Sequence, residues 1–184
     1  MKSSEALQET LYQEMIARIA QTDISVPEKI DQYEYYSRTE KGKAYPIHCR
    51  RKVAGEEQII LDLNEIGKEV SLSNYKVSPD HRFMAYSIDT KGCETFELHV
   101  KDLESGEILP DTIPAVSYGL EWAGDSQTFF YVTLDDSHRP YRLHRHTLGI
   151  QEDPLIYEEK DKGFLLWIRK TKSRHYLLLG ISSK

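Results

Sequence analysis

Two stretches of the chain decide the fold, because they repeat one pattern: Val77–Tyr86 (VSPDHRFMAY) and Trp122–Tyr131 (WAGDSQTFFY). Each begins at the apolar end of a strand, passes through a turn centred on an aspartate, and ends in a strand that closes with tyrosine. The two aspartates are 45 positions apart, and so are the two tyrosines. A strand–turn–strand pattern that returns at this interval indicates an internal repeat.

The segments that follow the two copies repeat as well. Residues Glu94–Lys101 and Arg139–His146 are predicted strands, again 45 positions apart. A third, weaker copy begins at Leu166–Ile168, continues through a turn at Lys172–Arg174, and ends in a strand over His175–Leu179. Each repeat therefore holds about four short strands in roughly 40–45 residues, which is typical of a propeller blade.

The preceding part of the chain also reads as strands. Tyr33–Arg38, Ala44–Arg51 and Gln58–Leu63 alternate with turns that contain glycine, whereas Asn64–Leu72 fits either a short helical turn or a loop. A β-sandwich also uses many short strands, but the regular repeat favours a propeller. We predict an all-β fold, a partial β-propeller of about three to four four-stranded antiparallel blades, preceded by an N-terminal helix.

The helix sets the predicted domain organisation. Ser3 or Ser4 can cap it, and the pattern stops near Thr22–Asp23, before Pro27. Its apolar residues fall on one side, so we expect the helix to dock on another surface. These residues are Ala6, Leu7, Leu11, Met15, Ile16 and Ile19. We predict a helix and linker over residues 1–30 and the propeller domain over residues 31–184.

Composition and charge exclude several classes of protein. The net charge of −6 and the single basic run, Arg50–Lys52 at a predicted strand end, disfavour a nucleic-acid binder. No signal peptide or apolar stretch of about 18 residues is recognisable. Cys49 and Cys93 form no CxxC motif, so we predict two buried, reduced thiols in a cytoplasmic protein, although a disulfide stays open.

The motifs of common catalytic sites are absent from the sequence. No G-x-S-x-G nucleophile elbow, P-loop, dinucleotide-binding glycine pattern, HExxH or EF-hand loop occurs. His144 and His146 alternate on one strand at a spacing that zinc can use, but no third ligand is evident, so we interpret them as half-exposed strand histidines. We therefore predict no catalytic, cofactor-binding or metal-binding residue, and no cofactor.

Several other groups of residues have a structural interpretation. We expect Asp80 and Asp125 to form turns by bonding to the backbone downstream. Three carboxylate clusters are predicted to be solvated turns, with a rim that attracts cationic peptides as the alternative: Glu56–Glu57, Asp135–Asp136 and Glu158–Asp161. Four aromatic residues are predicted to pack between blades: Trp122, Phe129, Phe130 and Trp167.

Taken in order, several runs resemble oligopeptidase B, of the prolyl oligopeptidase family of serine peptidases. The resemblance covers nearly the whole chain, and the run Val100–Pro114 is especially similar. The other matching runs are Asp23–Pro27, Tyr35–Ile47, Val77–Asp80, Ala85–Asp89, Val132–Asp135 and Arg139–Leu143.

The resemblance implies a function that this chain does not carry alone. It implies a cytosolic serine peptidase that cleaves short peptides after arginine or lysine, in which a propeller gates an α/β-hydrolase domain bearing a Ser-His-Asp triad. None of the triad maps onto these 184 residues, so we expect gating and no turnover. The partners expected are short basic peptides, the hydrolase domain, and further copies through open blade edges, with no nucleic acid or membrane. The alternative is a stand-alone propeller-like module that binds a partner protein.

Overall fold

The computed structural model describes residues 4–183, which belong to two compact units, Met1–Lys68 and Glu69–Lys184. Nearly all of the regular structure is β-sheet, and every strand pair that it describes is antiparallel. The prediction of an all-β propeller segment with one N-terminal helix is confirmed.

The first unit is a small antiparallel sheet preceded by a helix. The elements are α1 Glu5–Arg18, β1 Asp23–Ile24, β2 Glu28–Ile30, β3 Tyr33–Thr39, β4 Ile47–Lys52 and β5 Glu57–Asp62. Strand β3 pairs with β1, β2 and β4, and β5 then pairs with β4. Tyr36, Ile47 and Cys49 form one buried cluster of its core. The stretch after the third predicted strand, which fitted either a helical turn or a loop, begins with a 3-10 turn over Leu63–Glu65.

The helix is shorter than predicted. It ends at Arg18 because Ile19 is already extended, and the predicted linker contains the short strands β1 and β2. The carbonyl of Ser4 accepts the amide of Gln8 at 2.9 Å, but the Ser4 hydroxyl makes no capping bond, and Ser3 lies outside the described residues. The predicted docking is not seen, since no residue of α1 is buried. Within residues 4–183, no helix is both long enough and apolar enough to span a membrane.

The second unit holds the repeat. Its strands are β6 Ser71–Val77, β7 Phe83–Asp89, β8 Phe96–Asp102, β9 Ile108–Trp122, β10 Thr128–Leu134, β11 Pro140–Thr147, β12 Leu155–Glu158, β13 Phe164–Lys170 and β14 Leu177–Ser183. Strands β6 to β12 form one seven-stranded sheet in sequence order, and β13 pairs with β14.

Strand β9 belongs to two blades. Its first half pairs with β8, with Ile113 opposite Leu98, and its second half pairs with β10, with Trp122 opposite Phe129. Between the halves, Ala115 adopts a left-handed conformation with φ of 56°. The sheet therefore divides into two four-stranded blades, one from β6 to the first half of β9 and the next from the second half of β9 to β12.

The three predicted copies of the turn share one geometry. In each, the amide at the start of the turn donates to the carbonyl at the start of the next strand. The bonds run from Ser78 to Phe83 at 2.8 Å, from Ala123 to Thr128 at 2.8 Å, and from Thr171 to Tyr176 at 2.9 Å. The weak third copy is therefore a true repeat.

One left-handed residue closes each of these turns. The φ angles are 65° at His81, 59° at Ser126 and 61° at Arg174. In the first two copies the aspartate accepts downstream backbone amides, as predicted: Asp80 accepts Arg82 N, and Asp125 accepts Gln127 N and Thr128 N. The turn is thus built by local chemistry, which explains why the sequence reveals it.

Aromatic residues fill the core of the second unit. Trp122 and Phe129 are fully buried, with ring centroids 5.1 Å apart, as predicted. Phe130 is partly buried against a smaller cluster around Val132. Trp167 is 40% exposed, which corrects the prediction that it packs between blades. Its ring instead lies on the backbone of Gly180, the residue opposite it in β14.

We expect Gly180→Ala to destabilise the β13–β14 hairpin. A Cβ at this position would lie 2.0 Å from the Trp167 ring, so the ring or the strand must move. Overpacking of this kind costs about 1–3 kcal/mol in free energy of unfolding. Urea unfolding followed by tryptophan fluorescence measures the cost. Gly124→Ala is the matched control, because nothing lies within 4 Å of its added Cβ. Equal midpoints and unchanged emission in both variants would contradict the close approach.

Candidate functional site

The candidate functional site is the inner edge of the second unit. Strand β6, the second half of β9 and strand β13 each begin a blade, and in a propeller the blades surround a central channel. Within residues 4–183, β6 pairs only with β7 and β13 only with β14, so both keep an edge without a strand partner. We call these three segments the inner strands.

Side chains fix neighbouring inner strands to each other. The indole Nε1 of Trp122 donates to the carbonyl of Lys76 at 2.9 Å, and the Asn74 amide donates to the carbonyl of Tyr118 at 3.0 Å. Lys76 Nζ also lies 3.2 Å from Glu121 Oε1. These contacts align β6 and the second half of β9 in the same direction, with their C-terminal ends together.

Aromatic side chains are exposed on the inner strands. Tyr118 is 63% exposed and Trp167 is 40% exposed, with the guanidinium of Arg169 5.2 Å from the indole ring centroid. Exposed rings beside charged groups can hold an extended peptide by packing and charge. This surface was not predicted from the sequence, although Lys76 and Glu121 are separated by the same 45 positions as the repeat.

His146 lies in a buried polar cluster, which corrects the prediction of a half-exposed residue. Its Nδ1 lies 2.7 Å from Asp153 Oδ1, and its Nε2 lies 2.8 Å from Asp111 Oδ1. The Tyr131 hydroxyl donates to Asp153 at 2.6 Å, and burial together with this bond raises the pKa of Tyr131. Because carboxylates engage both ring nitrogens, neither is left to take a proton from a serine hydroxyl.

The cluster connects two blades. Asp111 is in the first half of β9, whereas His146 is in β11 of the next blade, and Asp111 also accepts the Gly149 amide at 2.7 Å. Its role is therefore to join blades. No local pattern in the sequence indicates this contact, because Asp111 and His146 are 35 positions apart.

His144 is half-buried, as predicted, and lies on the same strand face as His146. Its ring stacks on Tyr131 with centroids 5.3 Å apart, and burial lowers its pKa. No group of three or more His, Cys, Asp or Glu side chains in the part of the chain that the structure describes is arranged to hold a metal ion.

The predicted carboxylate clusters are partly wrong, because one member of each is in an ion pair. Glu57 lies in β5 and accepts hydrogen bonds from Tyr36 Oη at 2.7 Å and Arg38 Nε at 3.0 Å. The other pairs are Asp135 with Arg139 at 2.9 Å and Glu158 with Arg142 at 2.7 Å. In each cluster, a cation on another strand or in the same turn therefore neutralises a carboxylate that was predicted to be solvated.

The basic run Arg50–Lys52 is partly engaged within the first unit. Arg50 is only 3% exposed, lies 4.5 Å from the Tyr33 ring centroid, and donates to Gln58 at 2.7 Å. Arg51 pairs with Glu34 at 2.8 Å. Two of the three cations are therefore engaged within the first unit, which leaves little charge for a polyanion.

The two cysteines differ in environment. Both are free thiols, but Cys49 is fully buried and Cys93 is exposed, so the prediction of two buried thiols is wrong for Cys93. Burial, followed by the charge of Glu57, raises the pKa of the Cys49 thiol to about 11. Cys93 is therefore the accessible thiol of the pair.

Comparison with known proteins gives a consistent result. The family model described as the prolyl oligopeptidase N-terminal beta-propeller domain matches residues 1–184. Protease 2 of Moraxella lacunata is 37% identical over 190 residues, which cover 96% of this chain and 28% of that protein. Dipeptidyl aminopeptidase BI of Pseudoxanthomonas mexicana is 35% identical over 200 residues, with the same two coverages.

Solved structures agree with the sequence relatives. Oligopeptidase B from Leishmania major superposes with a TM-score of 0.93 at 29% identity, over 98% of this chain and 27% of that one. The chain therefore spans little more than a quarter of the length of these relatives.

We expect His146→Ala to destabilise the second unit strongly. The substitution leaves two largely buried carboxylate groups without their shared partner, and breaking a buried pair costs about 3 kcal/mol or more in free energy of unfolding. Urea denaturation followed by circular dichroism measures the loss. His175→Ala at an exposed turn is the control, with an expected change within about 0.5 kcal/mol. A similar small loss in both variants would show that the cluster does not join the blades.

We expect one cysteine to react in the folded chain. Iodoacetamide at about pH 8 should alkylate Cys93 and spare Cys49, because the Cys49 thiol is buried and remains protonated. Mass spectrometry after brief labelling, with and without urea, identifies the sites. Cys93→Ser should remove the native label entirely, and labelling of Cys49 without urea would contradict its burial.

Proposed function

The chain belongs to the prolyl oligopeptidase family through its N-terminal β-propeller domain, and we propose from this premise that it is the non-catalytic, substrate-gating segment of an oligopeptidase B-like serine peptidase. The peptidase would be cytoplasmic and would cleave short peptides after arginine or lysine. The observation that carries the proposal is the match of residues 1–184 to the propeller domain, together with 37% identity to a relative named Protease 2.

The arrangement of the inner strands supports a gating role. They present rings and charges along an edge, whereas His146, which sequence analysis had considered only for zinc, is held by carboxylates on both sides. Catalysis is therefore assigned to an α/β-hydrolase domain that works with this segment, through a serine nucleophile and its triad. The net charge of −6 favours the approach of basic peptides.

The first test measures catalysis by the chain itself. A fluorogenic peptide that ends in arginine, and a serine-reactive covalent probe, should give no turnover and no labelled residue. Turnover with a labelled serine would place a nucleophile within these 184 residues and would contradict a non-catalytic role.

The second test measures gating directly. Residues 1–184 replace the matching segment of Moraxella lacunata Protease 2, and the hybrid is assayed on a short arginine peptide and on a folded protein that contains the same cleavage sequence. We expect the hybrid to cleave the short peptide and to spare the folded protein. Cleavage of both at equal rates would contradict gating. A folded hybrid inactive on either substrate would favour a stand-alone binding module.

A further inference from the structure

The two four-stranded blades of the second unit meet along one contact surface, which we call the seam. One blade runs from β6 to the first half of β9, and the other runs from the second half of β9 to β12. A hydrophobic cluster fills the seam, in which Phe83 of one blade stacks on Trp122 of the other with ring centroids 6.5 Å apart. Polar contacts close the seam at each end of this cluster.

Hydrogen bonds beside the inner strands close the inner end of the seam. The indole Nε1 of Trp122 donates to the carbonyl of Lys76 at 2.9 Å. In the turns that follow these strands, the amide of Asp80 donates to the hydroxyl of Ser126 at 3.0 Å. Each bond joins one blade to the other, so the inner strands stay together for as long as these bonds are kept.

One buried carboxylate closes the outer end of the seam. Asp111 belongs to the first half of β9, the outermost strand of its blade, and its side chain is only 7% exposed. Its Oδ1 lies 2.8 Å from His146 Nε2 and accepts the Gly149 amide at 2.7 Å, and both partners belong to the other blade. Separation of the blades would leave this carboxylate without either partner, which is costly for a buried charge.

The two ends are connected, so the seam opens as a whole or stays closed. Strand β9 carries both ends, because Asp111 lies in its first half and Trp122 is its last residue. Between the ends, opening would expose the buried rings of Phe83 and Phe129 to water. A partly open seam therefore loses contacts without making room for a folded protein.

We propose that Asp111 is a positioning residue that keeps the seam closed, so that folded proteins are excluded and short peptides enter only past the inner strands. The proposal rests on the proposed function, because a closed seam matters to access only if this segment is a gate. It assigns size selectivity to a residue that contacts no substrate.

The first test uses the hybrid peptidase and its two substrates. Asp111→Asn keeps the size of the side chain and removes its charge. We expect cleavage of the folded protein to rise at least about tenfold, as for the loss of a buried pair, while kcat/KM for the short peptide stays within about twofold. Asp136→Asn, the same change at an exposed loop position, is the control and should leave both rates unchanged. No increase in cleavage of the folded protein by the Asp111→Asn hybrid would overturn the proposal.

The second test needs neither the hybrid nor a substitution. Hydrogen exchange in the 184-residue chain is followed by NMR at the Trp122 indole, which reports the inner end, and at the Gly149 amide, which reports the outer end. We expect the two protection factors to agree within about threefold, because both ends open in one event. A difference of more than about tenfold would show that the ends open separately and would overturn the proposal.

Failure of this proposal can be told apart from failure of the gating role. Equal cleavage of both substrates by the unsubstituted hybrid contradicts gating itself. An unsubstituted hybrid that spares the folded protein, together with an Asp111→Asn hybrid that spares it equally, leaves gating intact and removes Asp111 from it. The exchange measurement does not depend on hydrolysis at all.

Discussion

The hydrogen bonding of strand β9 is the constraint on which the second unit depends. Its backbone pairs with β8 as far as Val116, and with β10 from Val116 to Trp122. A left-handed alanine costs roughly 1 kcal/mol or more, and it persists because both ladders fix the residues on either side. The same strand then buries Leu120 and Trp122, and the Trp122 indole positions β6 through the Lys76 carbonyl. The division into two blades, the burial of the core and the position of the inner edge therefore all depend on β9.

Local chemistry explains what could be read from the sequence. The turns at Asp80 and Asp125 are built from residues within a few positions of each other, so their pattern survives at a fixed spacing and reveals the blades. The third turn lacks the aspartate but keeps the left-handed residue at Arg174, which is why its copy looked weak.

Contacts between strands explain what could not be read. His146 is buried because Asp111 reaches it from another blade, and Glu57 is neutralised by residues of β3. Such partners are 19 to 35 positions apart, so no local sequence pattern predicts these contacts. The helix α1 shows that a local pattern alone does not ensure burial. Its apolar residues recur regularly on one side, yet none of its residues is buried. A charged side chain or an apolar helix face therefore predicts a contact only when the fold brings a suitable residue close to it.

Arg139 carries a consequence for the order in which the chain folds. Its buried guanidinium pairs with Asp135 and also donates to the carbonyls of Glu159, Asp161 and Phe164, in the connection that leads into β13. Until that connection folds, Arg139 has only Asp135 of its own turn as a partner, and its three carbonyl acceptors are missing. Completion of one blade is thus coupled energetically to the start of the next, which is the nearest-neighbour cooperativity expected of a repeat protein. Folding of one blade therefore favours folding of the next blade along the chain.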